Sequence, residues 1–368
     1  MTNEPLVSIC IPVLNGEHLI RHALESCIRQ TYPNIEIIVG DDGSTDRTGE
    51  VVAEYAARDR RVTYIRNEKN LGMFGNWLML FKVARGEYAE ALSHDDWLSQ
   101  NYVEECVRNF NHFPRTAAVY TTCESFLIND NDTFIFEREV AFASRTYAVD
   151  SIVHRMYRTD WGGLNLSAMV RRRDFIDAAT AVLSLSRRED HSLDQRLLRL
   201  GATTDWLIFL KIIAKYKFLT FTDRCAYVRT RHLGNTGEQW RSDFHTSGAA
   251  GTFKLYDHFR ACLEYVYATD FKKHLSAMRV FLGHEAANTA LFNFMKSGMQ
   301  RPYLHGMKEG IRSFFRAYSA REKAVVALSI PPTFVIRAVR FIVRKLKRPP
   351  ADMYRAEFFL SDTRRFVQ

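Results

Sequence analysis

Residues 35–46 decide the fold, and they read Ile35-Glu36-Ile37-Ile38-Val39-Gly40-Asp41-Asp42-Gly43-Ser44-Thr45-Asp46. A mostly apolar run ends here in two adjacent carboxylates and a turn. The run predicts a strand that is covered on both faces, because parallel strands buried between layers of helices read as nearly continuous apolar segments. Ligands of such sheets bind outside the carboxyl ends of the strands, so the turn is a candidate functional site.

Strand and helix patterns alternate on both sides of this stretch. Before it, Val7 to Pro12 is a β-rich run, and apolar residues at helical spacing over 19–28 follow it. After it come a predicted helix from about Arg47 capped by Asp46, a strand Val62 to Arg66, a helix Phe74 to Ala84 and a strand Glu87 to Ser93. This order predicts an α/β fold with a doubly wound, mostly parallel sheet.

The second half of the chain has a different pattern. It is mixed up to about Asn235, and from about Gly248 onward helical periodicity dominates. We therefore expect two parts, residues 1–240 and a helical C-terminal extension, residues 241–368. The predicted elements of the mixed part are a strand Ala117 to Thr122, a hairpin around Asn129 to Asp132, a helix Trp206 to Ala214 and a strand Phe218 to Phe221.

Composition and cysteine usage predict a cytoplasmic globular protein. The 368 residues are 46% hydrophobic and 25% charged, and the formal net charge is +9. The six cysteines are scattered without a C-x-x-C pair, which favours reduced thiols and no sulfur-based metal site. We expect no signal peptide, since no basic, apolar and cleavable segment precedes the first strand. The longest late apolar stretch is too short to span a bilayer.

Two pairs of adjacent carboxylates follow predicted strands. Asp41-Asp42 comes after Gly40, and Asp95-Asp96 comes after Ser93. Because the carboxyl ends of parallel strands share one edge of a sheet, we expect both pairs on the same edge. The alternative for Asp41-Asp42-Gly43-Ser44 is a simple turn with a helix cap, for which Asp, Gly and Ser are common.

Phosphate binding in this chain does not depend on a glycine-rich loop. Neither G-x-G-x-x-G nor G-x-x-x-x-G-K-[ST] follows any predicted strand, which argues against dehydrogenases and P-loop enzymes. Carboxylates would repel a diphosphate unless a divalent cation lay between them. Hard oxygen ligands suit Mg²⁺ or Mn²⁺, so either ion is the expected cofactor.

A series of short motifs resembles the family 2 glycosyltransferases, whose nucleotide-sugar domain has the GT-A fold. The resemblance covers about residues 6 to 97, and it implies that residues 1–240 form a GT-A nucleotide-sugar transferase domain. Leu14 departs from it, since the family has an aromatic residue there. The matching motifs, in order, are Val7 to Asn15, Val39 to Asp46, Asn70-Leu71-Gly72, Asn76, Arg85-Gly86-Glu87-Tyr88 and Asp95-Asp96.

The resemblance implies a role for each polar position. Asp42 would accept a hydrogen bond from the nucleobase. Asp95 would hold the ribose or the sugar, and Asp96 would ligate the metal ion that bridges the diphosphate. The other nucleotide-binding positions implied by these motifs are Pro12, Val13, Asn15, Glu17 and Asn70.

An inverting transferase of this family also needs a base for the acceptor hydroxyl, the Asp of an E-D segment that opens a helix. Thr204-Asp205-Trp206 resembles that segment with Thr204 in place of Glu, whereas Glu189-Asp190 keeps the literal pair. We favour Asp205, because one helix and one strand separate it from Tyr227 to His232, which resembles the family's Y-R-x-H motif. Asp205 as a plain helix cap is compatible with this role.

Two further positions carry weaker expectations. His232 is a third metal ligand, a contact to the diphosphate, or neither. Trp161, Gly162 and Gly163 stand where the family places a loop that faces the acceptor, and Trp161 is either a stacking surface for a sugar or a core residue.

The C-terminal segment is basic and amphipathic. Six of the residues between Arg337 and Arg348 are basic and none is acidic, while Val335, Ile336 and Val339 begin an opposite apolar face. Residues 330–348 therefore either contact an anionic membrane peripherally, on the inner face of the plasma membrane, or pack on the catalytic domain.

Taken together, these features predict an inverting, metal-dependent glycosyltransferase that moves one sugar from a nucleotide diphosphate sugar, UDP-linked, to a hydroxyl of a glycan or lipid-linked acceptor. The processive signature Q-x-x-R-W is absent, which favours single transfer in polysaccharide or glycolipid assembly. No nucleic-acid partner is expected. The alternatives are a sugar nucleotidyltransferase and a non-catalytic, membrane-associated GT-A scaffold.

Overall fold

A computed structural model describes residues 4–128, 134–140, 144–148, 168–184, 204–216, 218–232 and single positions between 316 and 324. The strands are β1 Val7–Val13, β2 Ile35–Asp41, β3 Val62–Arg66, β4 Tyr88–Ala91, β5 Trp97–Leu98, β6 Thr116–Ile128, β7 Phe134–Val140, β8 Arg145–Ala148, β9 Ala168–Arg171 and β10 Phe218–His232. The helices are α1 Ile20–Ile28, α2 Thr48–Arg58, α3 Met73–Val83, α4 Tyr102–His112, α5 Arg172–Ser184 and α6 Thr204–Ala214.

All ten strands form one sheet, in the order β3-β2-β1-β4-β9-β6-β10-β5, with β7 beside β6 and β8 beside β10. The first four strands of this order are mutually parallel, and β6 is parallel to β10. Strand β9 is antiparallel to both β4 and β6 and joins the two parallel groups. The predicted α/β fold with a mostly parallel sheet is confirmed.

The centre of the sheet is fully covered. Every residue of β1 and of β2 is buried, as the continuous apolar runs predict. Helix α1 covers part of this surface with Ile20, Ala23, Leu24 and Cys27, whose spacing places them on one face of the helix. Because no residue of the two central strands reaches solvent, polar side chains become accessible only where these strands end.

Most predicted elements agree with the structure within two residues. The N-cap position of the second helix is Arg47, which makes no side-chain cap bond. The predicted cap, Asp46, lies one residue earlier, and its Oδ1 accepts the backbone N–H of Thr48 at 3.0 Å. Strands β6 and β7 are antiparallel, as the predicted hairpin requires, although its turn lies outside the described residues. The two late segments at Phe218 and Tyr227 are one long strand, β10, whose register against β6 shifts between Thr222 and Ala226. Helices α4 and α5 and strands β5 and β8 were not predicted.

The predicted division of the chain near residue 240 lies outside the described residues. The same holds for the helical extension, apart from the single positions between 316 and 324, and for the basic segment 330–348.

Two buried glutamates on the central strands have opposite environments. Glu36 is surrounded by donors: its Oε1 accepts Ser8 Oγ at 2.7 Å and the N–H of Arg85 at 2.6 Å, and its Oε2 accepts Arg85 Nε at 3.1 Å. Burial alone would raise the pKa of Glu36, but these bonds outweigh it and lower the pKa. Glu36 is therefore ionised in the folded protein.

Glu90 on β4 is fully buried and has one donor. Tyr102 Oη donates to Glu90 Oε2 at 2.7 Å, and Oε1 has no hydrogen-bond partner within the described structure. Burial raises the pKa of Glu90 to about 8, and the bond from Tyr102 opposes this only in part. Glu90 is thus a neutral carboxylic acid at neutral pH.

Glu90→Gln is expected to make the free energy of unfolding less dependent on pH. The folded protein keeps the Glu90 proton up to about pH 8, whereas the unfolded chain releases it near its ordinary pKa of 4.5. Between these values the folded state binds more protons, so the stability of the wild type falls as pH rises, by at most about 1.4 kcal/mol per pH unit. Glutamine stays neutral. In urea denaturation, the free energy of unfolding of the variant should therefore rise relative to that of the wild type as pH increases.

Glu36→Gln is the matched control, because folding shifts the pKa of Glu36 in the opposite direction. The pKa of Glu36 is lowered on folding, so its stabilisation is present above its ordinary pKa of 4.5 and is lost as pH falls through the lowered value. The free energy of unfolding of this variant should be about 1–3 kcal/mol lower than that of the wild type at neutral pH, and this difference should not shrink as pH rises further. Parallel curves of stability against pH for wild type and Glu90→Gln would contradict the expectation for Glu90.

Candidate functional site

Three turns meet at one edge of the sheet, after β1, β2 and β4. Strand β1 lies between the other two, with Val13 opposite Asp41 and Cys10 opposite Ala91. The structure therefore places both carboxylate pairs at the same edge, as expected for the carboxyl ends of parallel strands.

Asp41 shapes the turn after β2. Its side chain is fully buried; Oδ1 accepts the N–H groups of Gly43 at 3.1 Å and Ser44 at 2.7 Å. Oδ2 accepts Tyr64 Oη at 2.5 Å and lies 3.4 Å from Arg66 Nη1. Burial alone would raise the pKa of Asp41, but these partners outweigh it and lower the pKa. These contacts fit the interpretation of Asp41 as a structural turn residue.

Asp42 has a different arrangement. Its Oδ1 accepts Asn67 Nδ2 at 2.9 Å and the N–H of Leu71 at 2.7 Å, while its carbonyl oxygen accepts Asn70 Nδ2 at 3.2 Å. No hydrogen bond from a described residue reaches Oδ2. Asp42 therefore keeps one carboxylate oxygen as an acceptor for a ligand, and the segment 67–71 holds the other.

The turn after β1 is joined to the turn after β2 by hydrogen bonds in both directions. Asn15 adopts a positive φ of 53°, which a short polar side chain tolerates and which turns the backbone toward the second loop. The result is a rigid double loop beside Asp42. The bonds are Asn15 N–H to Ser44 Oγ, Gly16 N–H to Thr48 Oγ1, Glu17 N–H to Asp46 Oδ2, Thr45 N–H to Asn15 Oδ1 and Arg47 N–H to Glu17 Oε2, of 2.8–3.1 Å.

These bonds affect the predicted nucleotide-binding residues. The side chains of Asn15 and Glu17 each accept a backbone N–H of the neighbouring loop, so their described contacts hold the loops together. Asn70 acts likewise, because its Oδ1 accepts the N–H of Gly72 at 2.9 Å. Pro12 and Val13 are buried beneath the turn. Their direct contact with a nucleotide stays a prediction.

Three exposed apolar side chains lie on or near the loops beside Asp42. Leu14 is 44% exposed, Leu71 38% and Met73 48%. Leu14 follows Val13, whose carbonyl accepts the N–H of Asp42 at 2.9 Å, and the N–H of Leu71 is bonded to the Asp42 carboxylate. Two apolar side chains therefore stand on loops bonded directly to Asp42, a contact surface that sequence reasoning did not identify.

The turn after β4 contains Asp95 and Asp96. Asp96 is 3% exposed; its Oδ2 accepts Tyr227 Oη at 2.8 Å and its Oδ1 accepts the N–H of Thr230 at 2.7 Å. Thr230 Oγ1 also donates to the carbonyl oxygen of Asp95. Burial raises the pKa of Asp96 to about 7, the charge of Asp95 adds to this, and Arg229 and the two hydrogen bonds oppose it.

This turn touches the turn after β1. A Cβ at Gly16 would lie 2.5 Å from Cδ2 of His94, so only glycine lets the His94 ring approach this closely. The contact joins the Asp42 side of the edge to the Asp95-Asp96 side.

The Asp95-Asp96 pair fits a divalent cation. A buried carboxylate beside a second carboxylate is unfavourable without a nearby positive charge, and a bound cation would relieve it. No cluster of three or more His, Cys, Asp or Glu side chains with metal-ligand geometry occurs within the described ranges. Mg²⁺ and Mn²⁺ at phosphate sites need only one or two carboxylates, since the substrate supplies other ligands.

The remaining predicted site residues are only partly placed. Asp205 lies in the first turn of α6, as predicted, and the backbone of His232 pairs with Ile128 at the end of β10. The side chains of Asp205 and His232 lie outside the described part of the structure. Asp190, Trp161, Gly162 and Gly163 lie outside it entirely.

Residues 8–161 match the family described as Glycosyl transferase family 2. Glycosyltransferase GlyA of Streptococcus pneumoniae is 37% identical over 119 residues, 32% of this chain and 17% of GlyA. Chondroitin synthase of Escherichia coli is 38% identical over 118 residues, which are 32% of this chain and 17% of the synthase. A glycosyltransferase of Haemophilus influenzae is 34% identical over 125 residues, 33% of this chain and 50% of that protein.

The chain thus spans half or less of the length of these relatives. Among solved structures, S. aureus TarS 1-349 in complex with UDP-GlcNAc has a TM-score of 0.58 at 18% identity, over 87% of this chain and 83% of that chain. The complex of the same protein with UDP has a TM-score of 0.58 at 17% identity, over 89% and 85%. These likenesses support the fold. Within the residues that the structure describes, no helix is long and apolar enough to cross a membrane.

Asp41→Asn is expected to destabilise the protein without removing the turn. The amide keeps an acceptor for Gly43 and Ser44 but presents N–H groups to Tyr64 and Arg66, so the free energy of unfolding should fall by about 1–3 kcal/mol at neutral pH. The pKa of Asp41 is lowered on folding, so this loss should shrink as pH falls below the ordinary value of 3.8. Chemical denaturation at neutral and acid pH measures both effects.

Tyr64→Phe removes the same hydrogen bond from the other side. A double-mutant cycle of the two substitutions should therefore show strong coupling, with the double variant less destabilised than the sum of the single variants. Additive losses would contradict the role assigned to the Tyr64–Asp41 bond.

Proposed function

We propose that the protein, whose residues 8–161 match the family described as Glycosyl transferase family 2, transfers one sugar, with inversion, from a nucleotide diphosphate sugar to a hydroxyl of a glycan or lipid-linked acceptor. One observation carries this proposal: Asp42 and the Asp95-Asp96 pair come from different strands and meet at one edge of the sheet. The first offers an acceptor suited to a nucleobase, and the second offers a cation site suited to a diphosphate.

The donor nucleotide is UDP. Uracil presents one N–H between two carbonyl groups, and Oδ2 of Asp42 is an acceptor for such a donor. Leu14 and Leu71 supply apolar contact area beside it, in place of the aromatic residue that the family has at position 14. Asp95, which is half-buried, holds the ribose or the sugar. The UDP and UDP-GlcNAc complexes of the similarly folded TarS support this choice of donor.

Asp96, with His232 as a further ligand, would hold a divalent cation, Mn²⁺ or Mg²⁺. When bound, such an ion neutralises the charge that develops on the departing diphosphate. The chain's own contribution is to keep the Asp96 carboxylate buried and oriented by Tyr227 and Thr230.

Asp205 acts as the base. It accepts the proton of the acceptor hydroxyl while the acceptor oxygen forms a bond to the anomeric carbon, and the bond from that carbon to the phosphate oxygen breaks. The nucleoside diphosphate leaves with the bonding electron pair. Because the acceptor oxygen attacks the face of the anomeric carbon opposite the diphosphate, the configuration of the sugar inverts. Trp161, Gly162 and Gly163 face the acceptor, with Trp161 stacking on its ring.

The proposed setting is cell-surface polysaccharide or glycolipid assembly at the cytoplasmic side of the membrane. Residues 330–348 make a peripheral contact with anionic lipid, which brings the active site to a lipid-linked acceptor.

The donor proposal predicts Mn²⁺-dependent hydrolysis of a UDP-sugar when no acceptor is present. Asp96→Ala should abolish the dependence on Mn²⁺, because it removes the proposed metal ligand. Asp205→Asn should slow turnover on the order of 10²–10⁴-fold, the usual loss when a general base is removed. Release of UDP from a panel of UDP-sugars and GDP-sugars measures all three effects.

Asp190→Asn is the matched control for the base. It should leave turnover near that of the wild type. A large loss in Asp190→Asn with none in Asp205→Asn would move the base to Asp190, and hydrolysis of GDP-sugars alone would contradict the assignment of UDP.

The membrane contact predicts sedimentation of the full-length protein with anionic liposomes. Each basic side chain near an anionic surface contributes about 1 kcal/mol, so replacing Arg337, Arg340, Arg344 and Lys347 by Ser should weaken the partition coefficient on the order of a hundredfold or more. The control replaces the exposed Arg58, Arg60, Lys82 and Arg115 by Ser, which changes the net charge equally. Equal binding of the two variants would contradict a specific role for the C-terminal segment.

A further inference from the structure

We propose that Tyr227 is a positioning residue that, together with Thr230, fixes the Asp96 carboxylate for the metal ion. This inference rests on the proposed function, because it assumes that Asp96 is a metal ligand. Neither Tyr227 nor Thr230 needs to contact substrate, since both act through Asp96.

The contacts are specific to the two carboxylate oxygens. Tyr227 Oη donates to Oδ2 at 2.8 Å, and the backbone N–H of Thr230 donates to Oδ1 at 2.7 Å. With one donor on each oxygen, the plane of the carboxylate cannot rotate without breaking a bond. The remaining lone pairs of both oxygens point in fixed directions, which is the condition for a preorganised metal ligand.

The backbone of the same turn is also fixed. Thr230 Oγ1 donates to the carbonyl oxygen of Asp95, and the N–H of Ser93 makes a long contact of 3.5 Å with Tyr227 Oη. Strand β10 therefore holds the turn 93–96 both through its peptide groups and through the Asp96 side chain.

Strand β10 is itself rigid at this point, so its donors have fixed positions. Tyr227 is paired with Leu98 of β5 on one side and with Cys123 of β6 on the other. Next to it, Ala226 and Ser99 exchange two hydrogen bonds of 2.9 Å, from Ser99 N–H to the Ala226 carbonyl and from Ala226 N–H to Ser99 Oγ. A buried tyrosine in this setting, 2% exposed, has little freedom to move away from Asp96.

The physical need for this arrangement follows from the neighbouring charge. Asp95 and Asp96 are adjacent carboxylates, and Asp96 is excluded from water. Without fixed donors, repulsion and the missing solvent would favour orientations of Asp96 that are unsuitable for a cation. Two donors on β10 offset this cost before the metal ion arrives.

Tyr227→Phe tests the proposal in the full-length protein, by electron paramagnetic resonance of free Mn²⁺ in a titration without nucleotide. Partners that orient a metal ligand typically contribute 10- to 100-fold in affinity, so the dissociation constant for Mn²⁺ should rise about tenfold or more. Turnover of the donor should recover in part at high Mn²⁺, since the variant keeps Asp96. Asp96→Ala should show no saturable binding at this site.

Tyr32→Phe is the matched control. Tyr32 is also buried, and its hydroxyl donates to the carbonyl of Pro5 at 2.8 Å, at the opposite edge of the sheet. This variant should bind Mn²⁺ like the wild type. If Tyr227→Phe does not fold, Tyr227→Met replaces it, because it also removes the hydroxyl donor to Asp96 Oδ2 and keeps an apolar side chain at this buried position.

The outcomes are distinguishable from those of the proposed function. Unchanged Mn²⁺ affinity in a folded Tyr227→Phe, or in Tyr227→Met where that variant replaces it, overturns the positioning role and leaves the metal proposal intact. An absence of saturable Mn²⁺ binding by the wild type, both without nucleotide and with UDP present, overturns both.

Discussion

The burial of strand β1 between two parallel neighbours is the constraint on which the rest of the structure depends. No residue of β1 or β2 is exposed, so the central sheet is held by apolar contact on both faces, and its register leaves little freedom for slippage. The pairing of Val13 with Asp41 and of Cys10 with Ala91 then brings the turns after β2 and β4 to opposite sides of the turn after β1. The candidate site is a consequence of this register, because each carboxylate pair takes its position from the strand that precedes it.

The buried acids of this domain differ in how the protein meets the cost of burial. Glu36 and Asp41 each receive several donors and a nearby arginine, which lower the pKa and keep them ionised as structural anchors. Glu90 has one donor and stays neutral inside the core. Asp96 has two donors, but its burial and, after that, the neighbouring charge of Asp95 raise its pKa, and a bound cation would offset both effects. The hydrogen-bond donors and the charges around each buried acid therefore distinguish the acids that stabilise the fold from the acid that is suited to a ligand.

The parts of the fold that could be predicted from sequence are those with local causes. Elements β1 to α3 follow from apolar periodicity and from turn residues that stand next to them in the chain, and the two carboxylate pairs follow from the ends of those strands. Local patterns do not divide the roles within the first pair, since Asp41 and Asp42 are adjacent and differ only in their partners, Tyr64 and Asn67; the role of Asp42 was expected only from the family resemblance. The motif Tyr227 to His232 was recognised in the sequence, but the contacts of Tyr227 and Thr230 with Asp96 were not predicted, because they span 131 and 134 residues and no local pattern encodes such contacts.

Strand β10 connects residues 204–232 to the candidate site. It begins at Phe218, shortly after helix α6 ends at Ala214, so one continuous segment carries the proposed base Asp205 at one end and the donors to Asp96 at the other. The shift of register between Thr222 and Ala226 lets this strand pair with β6 along most of its length and still meet the two-residue strand β5 beside Asp96. The proposed base on α6 and the donors on β10 that orient the proposed metal ligand thus lie on consecutive elements, although Asp205 and Asp96 are far apart in sequence.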